Sequence, residues 1–216
     1  HLGVALALQE QGFLFKGGMR EKGQTPPSTD KMEISTYVGS SAGSLICSYL
    51  AAGYSLDNIF NSFLGKKSSD PADNTPRRLP RLTYTTMLKL RPELAKEQVK
   101  QIFTLKQIAK DVVQGNWESL IEFQWLKTTG FFSTSGIESY LRNDVLPSNE
   151  FKDYFAELFV VATQLNHSRK VVFSNYRYEP SVHDPGCEYS REVPISNACA
   201  ASTALPFIFT PYAVEL

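Results

Sequence analysis

The hydrophobic rhythm of this chain changes most sharply between Ile34 and Ala52. Ile34, Thr36, Tyr37 and Val38 are β-forming residues, Gly39 and Gly43 bracket a turn, and Leu45 to Ala52 is apolar enough for a buried helix ending at Gly53. The pattern predicts strand, sharp turn, helix. Upstream, Val4, Ala5, Leu8 and Phe13 fall at roughly helical spacing opposite Gln9, Glu10 and Gln11, which predicts a short amphipathic helix from His1 closed by Gly12. From Lys16 to Lys31, Gly, Lys, Pro, Ser and Thr follow without periodicity, so an exposed loop is expected. Gly17-Gly18-Met19-Arg20 inside it has the composition of an anion-binding turn. No apolar helical run follows it, which favours a plain surface loop.

Downstream, Ser55 is placed to cap a helix carrying Asp57 in its first turn and Ile59, Phe60 and Phe63 along it. Gly65 to Arg81 reads as a linker. Val99, Ile102, Phe103, Leu105, Ala109 and Val112 form one helical face within Leu94 to Val113, and Trp117 to Leu126 continues as a helix with both tryptophans. Residues 82–130 are therefore a candidate helical cap or lid inserted into a single domain spanning residues 1–216; an ordinary helical pair packed on the core is the plainer reading. Ser135 and Glu138 have the spacing of a capping box for a helix over Ile137 to Asn143. Glu157 to Thr163 is a near-continuous apolar run, as in a strand buried on both faces. Lys170 to Ser174 reads as its partner across the turn Asn166-His167-Ser168. Ser196 to Thr203 is a helix of small residues ended by Leu205-Pro206, and Phe207 to Val214 returns toward another strand. Strands alternating with helices make this an α/β chain with a mainly parallel central sheet sandwiched between helices.

Composition narrows the function classes. Twenty-two basic residues balance twenty-two acidic ones, so no overall field draws the chain to nucleic acid or to an anionic bilayer. No apolar run approaches the ~20 residues that span a membrane, and any membrane contact must be local. Cys47, Cys187 and Cys199 are odd in number and show no metal-ligand spacing, so free thiols are expected, with Cys47 and Cys199 as small apolar fillers of helices. No cofactor is implied. The first residue is His1 rather than Met, so targeting is not readable; a cytoplasmic or peripheral-membrane location fits the composition best. Oligomeric state leaves no trace in the pattern.

Chemistry enters at the turn. Ser41 is the centre of Gly39-Ser40-Ser41-Ala42-Gly43, a Gly-x-Ser-x-Gly. In a nucleophile elbow the serine is strained, and only small neighbours let strand and helix approach beneath it; Ala42, Gly43 and Ser44 are all small. The helix that starts there aims its N-terminal amides at the hydroxyl and so favours an oxyanion. Ser41 is the candidate nucleophile, against the plainer alternative of a loop serine.

His1-Leu2-Gly3-Val4, then Gly39-Ser40-Ser41-Ala42-Gly43, then Phe131 to Leu141, then Ala201-Ser202-Thr203-Ala204-Leu205-Pro206 resemble, in that order, the patatin-like phospholipases. The likeness spans nearly the whole chain. It implies a three-layer α/β/α fold and hydrolysis of lipid acyl esters by a Ser-Asp dyad without histidine. Ser41 falls on the family nucleophile. Lipid or acyl-ester substrate, met at a membrane surface, is the implied partner. The family's glycine-rich oxyanion loop normally lies just before His-Leu-Gly-Val, and its dyad aspartate sits in an Asp-Gly-Gly or Asp-Gly-Ala following the strand near Val214; neither stands in these 216 residues. The expectation is a catalytic domain truncated at both ends, holding the nucleophile but not the general base, and nearly inert by itself. The resemblance also implies two-step acyl transfer: the aspartate takes the Ser41 proton, Ser41 attacks the ester, and water hydrolyses the acyl-enzyme.

Two rival readings remain in the sequence. An α/β-hydrolase would use Ser41, Asp144 or Asp153, and His167 or His183, in the order Ser, Asp, His. In that fold several strands precede the elbow, and both histidines read as surface-loop residues. The other rival is a non-catalytic binding or scaffold module on the patatin-like fold.

Overall fold

The computed structural model describes residues 1–21, 32–66, 79–90, 132–176, 186–206 and 208–215. Helix α1 (Leu2–Glu10) leads to the short strands β1 (Leu14–Phe15) and β2 (Glu33–Ile34), then to β3 (Thr36–Ser40), α2 (Ala42–Ala51) and α3 (Leu56–Leu64). After α4 (Tyr84–Met87) and β4 (Lys89–Leu90) come β5 (Phe132–Ser133), α5 (Ser135–Tyr140), β6 (Glu157–Gln164), β7 (Arg169–Phe173), β8 (Cys187–Ser190) and α6 (Ile195–Ser202). The main described sheet has the order β3-β6-β7-β8. β3 runs parallel to β6 and β7 parallel to β8, while β6 and β7 form an antiparallel hairpin, so two of its three pairings are parallel.

Period-two burial explains how helices attach to this sheet. Tyr37 and Gly39 on β3, and Leu158 and Val160 on β6, are buried on one face. On that face α2 brings Leu45, Tyr49 and Leu50 into the core, and α6 brings Ile195, Ala198 and Cys199. The opposite face carries Thr36, Val38, Glu157 and Phe159, with Phe159 stacked on Tyr176. Burying a side chain such as Leu45 or Ile195 stabilises by about 1.5–3 kcal/mol.

The elbow strand, its helix, the Asn166–Ser168 turn with its returning strand, and the small-residue helix all form where the pattern puts them. Ser55 accepts from the Asn58 amide at 3.2 Å and Gly65 closes α3 in the left-handed region, as the cap residues require. Other expectations are corrected. Ala5 is buried as the spacing requires, but Val4 is 66% exposed and Leu2 and Leu6 pack on the core in its place; α1 is apolar nearly all round, so spacing alone could not choose the stripe. Gly12 lies one residue beyond the C-cap Gln11. The capping box does not form: Thr134 is the N-cap of α5, and Glu138 turns to Arg142, Ser139 and Ser196, where charge-assisted bonds outweigh a cap. That helix passes into a π-turn over Leu141–Val145. β6 buries Leu158 and Val160 while Glu157, Phe159 and Val161 are half-buried, so it is not covered equally on both faces. No strand forms in 208–215, where Phe209 makes a lone bridge to Phe132; Pro211 offers no amide to a ladder. β3 lies at the edge of the sheet as described. The predicted helices Leu94–Val113 and Trp117–Leu126, and most of the candidate cap 82–130, lie outside the described residues.

Gly17-Gly18 proves structural. The Gly18 amide donates to the Ala51 carbonyl at 2.9 Å, Phe155 donates to the Gly18 carbonyl at 3.0 Å, and Met19 bridges to Tyr154, so the segment straps the C-terminal end of α2 to the start of β6. A Cβ at Gly17 would lie 1.9 Å from the Leu50 carbonyl oxygen, backbone that cannot rotate away. Gly17→Ala is therefore expected to destabilise by at least about 2 kcal/mol, the scale of core overpacking. Gly3→Ala in α1, where nothing lies within 4 Å, should be neutral or stabilise by up to about 1 kcal/mol. Thermal melts of the two variants check this, and equal melting temperatures would refute the strap.

Candidate active site

Ser41 stands between β3 and α2 at φ 52°, ψ −128°, one of two described non-glycine residues with positive φ. Such a conformation costs of order 1–3 kcal/mol and persists only where the surroundings impose it. Gly39 shows how they do. A Cβ there would lie 2.6 Å from the Gly43 carbonyl oxygen and 2.7 Å from the Ser44 Cα, so the first turn of α2 sits directly on the strand. A chain returning that closely over itself has to turn within one residue, and Ser41 is that residue.

The backbone of Ser41 is held on both sides. Its carbonyl accepts from the Ser44 amide at 2.9 Å and from the Ser44 hydroxyl at 2.6 Å, while its amide donates to the Ser202 hydroxyl at 2.8 Å. Ser202 in turn donates to the Val161 carbonyl at 2.6 Å. Ser41 is exposed, and its side chain makes no capping bond to its own helix. Every hydrogen bond of Ser41 among the described residues runs through its backbone, leaving Oγ unengaged. Ser40 and Ala42 are exposed and Gly43 is buried, with the His1 imidazole 3.7 Å from where a Gly43 Cβ would stand. Beside the elbow, Ser40 and Ser202 line a cleft of about 560 Å³ whose walls include Leu165, Val171, Phe173 and Val214. Its size suits a small organic ligand.

Among the described residues, the candidate triad partners Asp144, Asp153 and His167 make no hydrogen bond to Ser41 or to one another. Asp153 accepts from the Ser148 hydroxyl at 2.5 Å and precedes the start of β6, whose Glu157 is level with Thr36. Thr36 to Ser40 spans roughly 13 Å of strand, so Asp153 belongs to the end of the sheet opposite Ser41. Asp144 is exposed and makes no hydrogen bond or ion pair among the described residues; the next residue, Val145, accepts at 2.8 Å from Tyr54, just past the C-terminal end of α2. His167 is exposed in the β6–β7 turn, likewise without a hydrogen bond or ion pair among the described residues. His183 lies outside the described residues. Among the described residues no three His, Cys, Asp or Glu side chains cluster as metal ligands, and no helix is long and apolar enough to cross a membrane.

Sequence reasoning located the elbow but not the residues that hold it. Ser44 counted only as a small neighbour, and Ser202 only as part of the Ala-Ser-Thr-Ala-Leu-Pro segment. A serine on a helix otherwise packed by alanines was the available signal; which backbone groups it reaches, 161 residues away, was not.

The family model for patatin-like phospholipases matches residues 1–215. No curated protein and no solved structure matches the chain. The family's three-layer α/β/α fold agrees with these helices and this mixed, mostly parallel sheet.

All three cysteines are free, and the two on the elbow's helices are poor nucleophiles. Burial pushes the Cys47 thiol up to about 11, and burial pushes Cys199 up to about 11 despite its contact with the Ser48 hydroxyl at 3.2 Å. At pH 8 about one in a thousand of either is thiolate, against a normal thiol titrating near 8.5. Iodoacetamide at pH 8, followed by mass spectrometry, should label both far more slowly in the folded than in the denatured protein. Because the folded values lie above the unfolded ones, their contribution to stability is complete below about pH 8.5 and is lost as pH rises toward 11. The melting temperature should fall across that window.

Proposed function

This chain belongs to the patatin-like phospholipase family, whose activity is lipid acyl hydrolysis, and on that premise we propose that Ser41 is the nucleophile of a Ser-Asp dyad. The observation that carries the reading is the state of Ser41: strained, exposed, held only by its backbone, with Oγ free at the N-terminus of α2. A structural serine at an N-cap would turn its hydroxyl onto its own helix.

The reaction follows from that position. A carboxylate removes the Ser41 proton as Oγ attacks the ester carbonyl, and the carbonyl oxygen takes up negative charge. The Ser41 amide is bound to Ser202, so the amide of Ala42 and the dipole of α2 are the elbow's contribution to holding that charge. Collapse of the tetrahedral intermediate expels the alcohol, which leaves with the proton held by the carboxyl group. Water then adds to the acyl-serine with the same carboxylate as base, releasing the fatty acid and restoring Ser41. The family places this base in an Asp-Gly-Gly or Asp-Gly-Ala, and the sequence contains no Asp-Gly pair. Asp144 and Asp153 are not suited to replace it. The cleft mixes apolar walls, among them Leu165, Val171, Phe173 and Val214, with the polar side chains of Thr163, Gln164 and Asn166, a lining that suits an ester carrying both an acyl chain and a polar part. We assign lipid esters at a membrane surface as the substrate class.

In the full-length protein Ser41→Ala should abolish hydrolysis of p-nitrophenyl esters and of phospholipid vesicles. Ser41→Gly should be equally inactive and melt higher, because glycine relieves of order 1–3 kcal/mol of strain at φ 52°. An active Ser41→Ala enzyme would sink the assignment. A wild-type protein that binds phospholipid and cleaves none would support a scaffold role instead.

The same assay separates dyad from triad. His167→Ala and His183→Ala should each keep activity within about two-fold, since loss of a true histidine base costs at least about 10² in rate. Loss of acyl transfer in either, with an unchanged melt, would favour the Ser-His-Asp reading.

A further inference from the structure

Where β3 ends, its last residue Ser40 is paired with Val161 on β6. One residue later the chain leaves the sheet for α2, and the ladder should stop with an unmatched amide on Ser41 and an unmatched carbonyl on Val161. A single hydroxyl answers both. Ser202 Oγ donates to the Val161 carbonyl at 2.6 Å and accepts from the Ser41 amide at 2.8 Å, using one lone pair and its only proton. Ser202 is the last residue of α6, and α6 is fixed independently. Ser196 near its start bonds to Asn149 through its amide at 2.8 Å and through its hydroxyl at 2.8 Å, Ala198, Cys199 and Ala200 are fully buried, and the Ser48 hydroxyl meets the Cys199 thiol. A rigid helix therefore presents the hydroxyl to Ser41, whose backbone is strained.

We propose that Ser202 is a positioning residue for the nucleophile: its hydroxyl locks the Ser41 amide, holds the elbow at positive φ and aims Oγ out of the fold. The inference rests on the reading of Ser41 as the nucleophile. Two consequences follow. Since the Ser41 amide is committed to Ser202, that group cannot serve as an oxyanion donor, and the Ala42 amide carries the elbow's share alone. And since Ser202 also lines the cleft beside Ser40, the lock joins the floor of the cleft to the nucleophile. Removing the hydroxyl leaves a strained residue tied only through its carbonyl to Ser44, free to swing its side chain. A displacement of about 1 Å at a reacting group costs on the order of 10²-fold.

The test uses the full-length protein, p-nitrophenyl butyrate as probe, and the variants Ser202→Ala, Ser202→Thr and Ser202→Cys. In Ser202→Ala, kcat should fall about 10- to 100-fold with KM within about two-fold, the mark of a group acting on the transition state rather than on binding. Ser202→Thr keeps the hydroxyl, has the open cleft for its methyl group, and should restore most of the rate. Ser202→Cys, with a weak donor and acceptor, should fall between, and it carries the test if the alanine variant does not fold. Amide hydrogen exchange at Ser41 gives a readout independent of turnover: protected in wild type and Ser202→Thr, and at least about ten-fold faster in Ser202→Ala. Wild-type kcat in Ser202→Ala, equal losses in the alanine and threonine variants, or a change confined to KM would each overturn the proposal. Hydrolysis that survives Ser41→Ala is a different failure: the nucleophile reading falls and the catalytic role of Ser202 with it, while exchange at Ser41 still reports whether the bond holds the elbow.

Discussion

The approach of α2 to β3 is the constraint on which the site depends. With the first turn of the helix 2.6 Å from the place a Gly39 Cβ would occupy, the strand-to-helix connection has no length to spare, and the positive φ of Ser41 follows from it. The same closeness dictates composition further along the helix. Ser44 and Ser48 are completely buried on α2 and satisfy themselves on the helix's own carbonyls, Ser44 on Ser41 and Ser48 on Ser44. They take up little volume, and α6 opposes them with Cys199 and alanines, so two helices pack side by side on one face of the sheet. Larger side chains anywhere in this seam would lift α2 and relax the turn.

The far end of the helix is secured by different means. Gly17 and Gly18 pass beneath the C-terminus of α2, where the Ala51 carbonyl would otherwise lack a partner, and the Tyr54 hydroxyl reaches the Val145 carbonyl at 2.8 Å. α5 and α6 are joined by a polar cluster in which Glu138 receives Arg142 at 2.6 Å and Ser196 at 3.2 Å. Burial pulls the Glu138 carboxyl up, but those donors together hold it below the usual range. One end of the sheet is therefore knitted together by backbone and charge, while the other, where Ser41 stands, opens onto the cleft. Rigidity behind a strained residue is what allows the strain to persist.

How much of this was legible depended on whether the cause was local. Gly39-Ser40-Ser41-Ala42-Gly43 between β-formers and an apolar run could be read because the turn demands small residues at fixed offsets. Ser55 could be read because a cap is decided within one turn of helix. The hairpin around His167 could be read because a strongly apolar strand and a polar turn adjoin. What failed had distant causes. Glu138 had the spacing of a capping partner, but its choice was made by Arg142 one turn on and by Ser196 across the helix pair. Gly17-Gly18 looked like an anion site or a surface loop because its ligand is the end of a helix some thirty residues away. Residues 208–215 have strand-forming composition, and the proline among them sets the ladder aside. Ser202 is the extreme case, a serine whose meaning is given entirely by Ser41 and Val161.

Two helices of the chain show what is unusual about the elbow. At α3, Ser55 turns its hydroxyl onto the Asn58 amide and Asp57 sits in the first turn, so the positive end of the dipole is spent inside the helix. α2 begins with a serine as well, yet Ser41 makes no capping bond and the first turn holds no carboxylate. Forgoing the cap costs about 1 kcal/mol and forgoing the acidic residue about 0.3–1 kcal/mol, on top of the backbone strain. Burial of Leu45, Tyr49 and Leu50 more than offsets this, so the helix survives without local help. What is left is a helix terminus with its dipole uncompensated and, beside it, a hydroxyl that makes no bond to the helix. A helix that needed its own cap would have been more stable and would have spent a terminal amide on its own side chain.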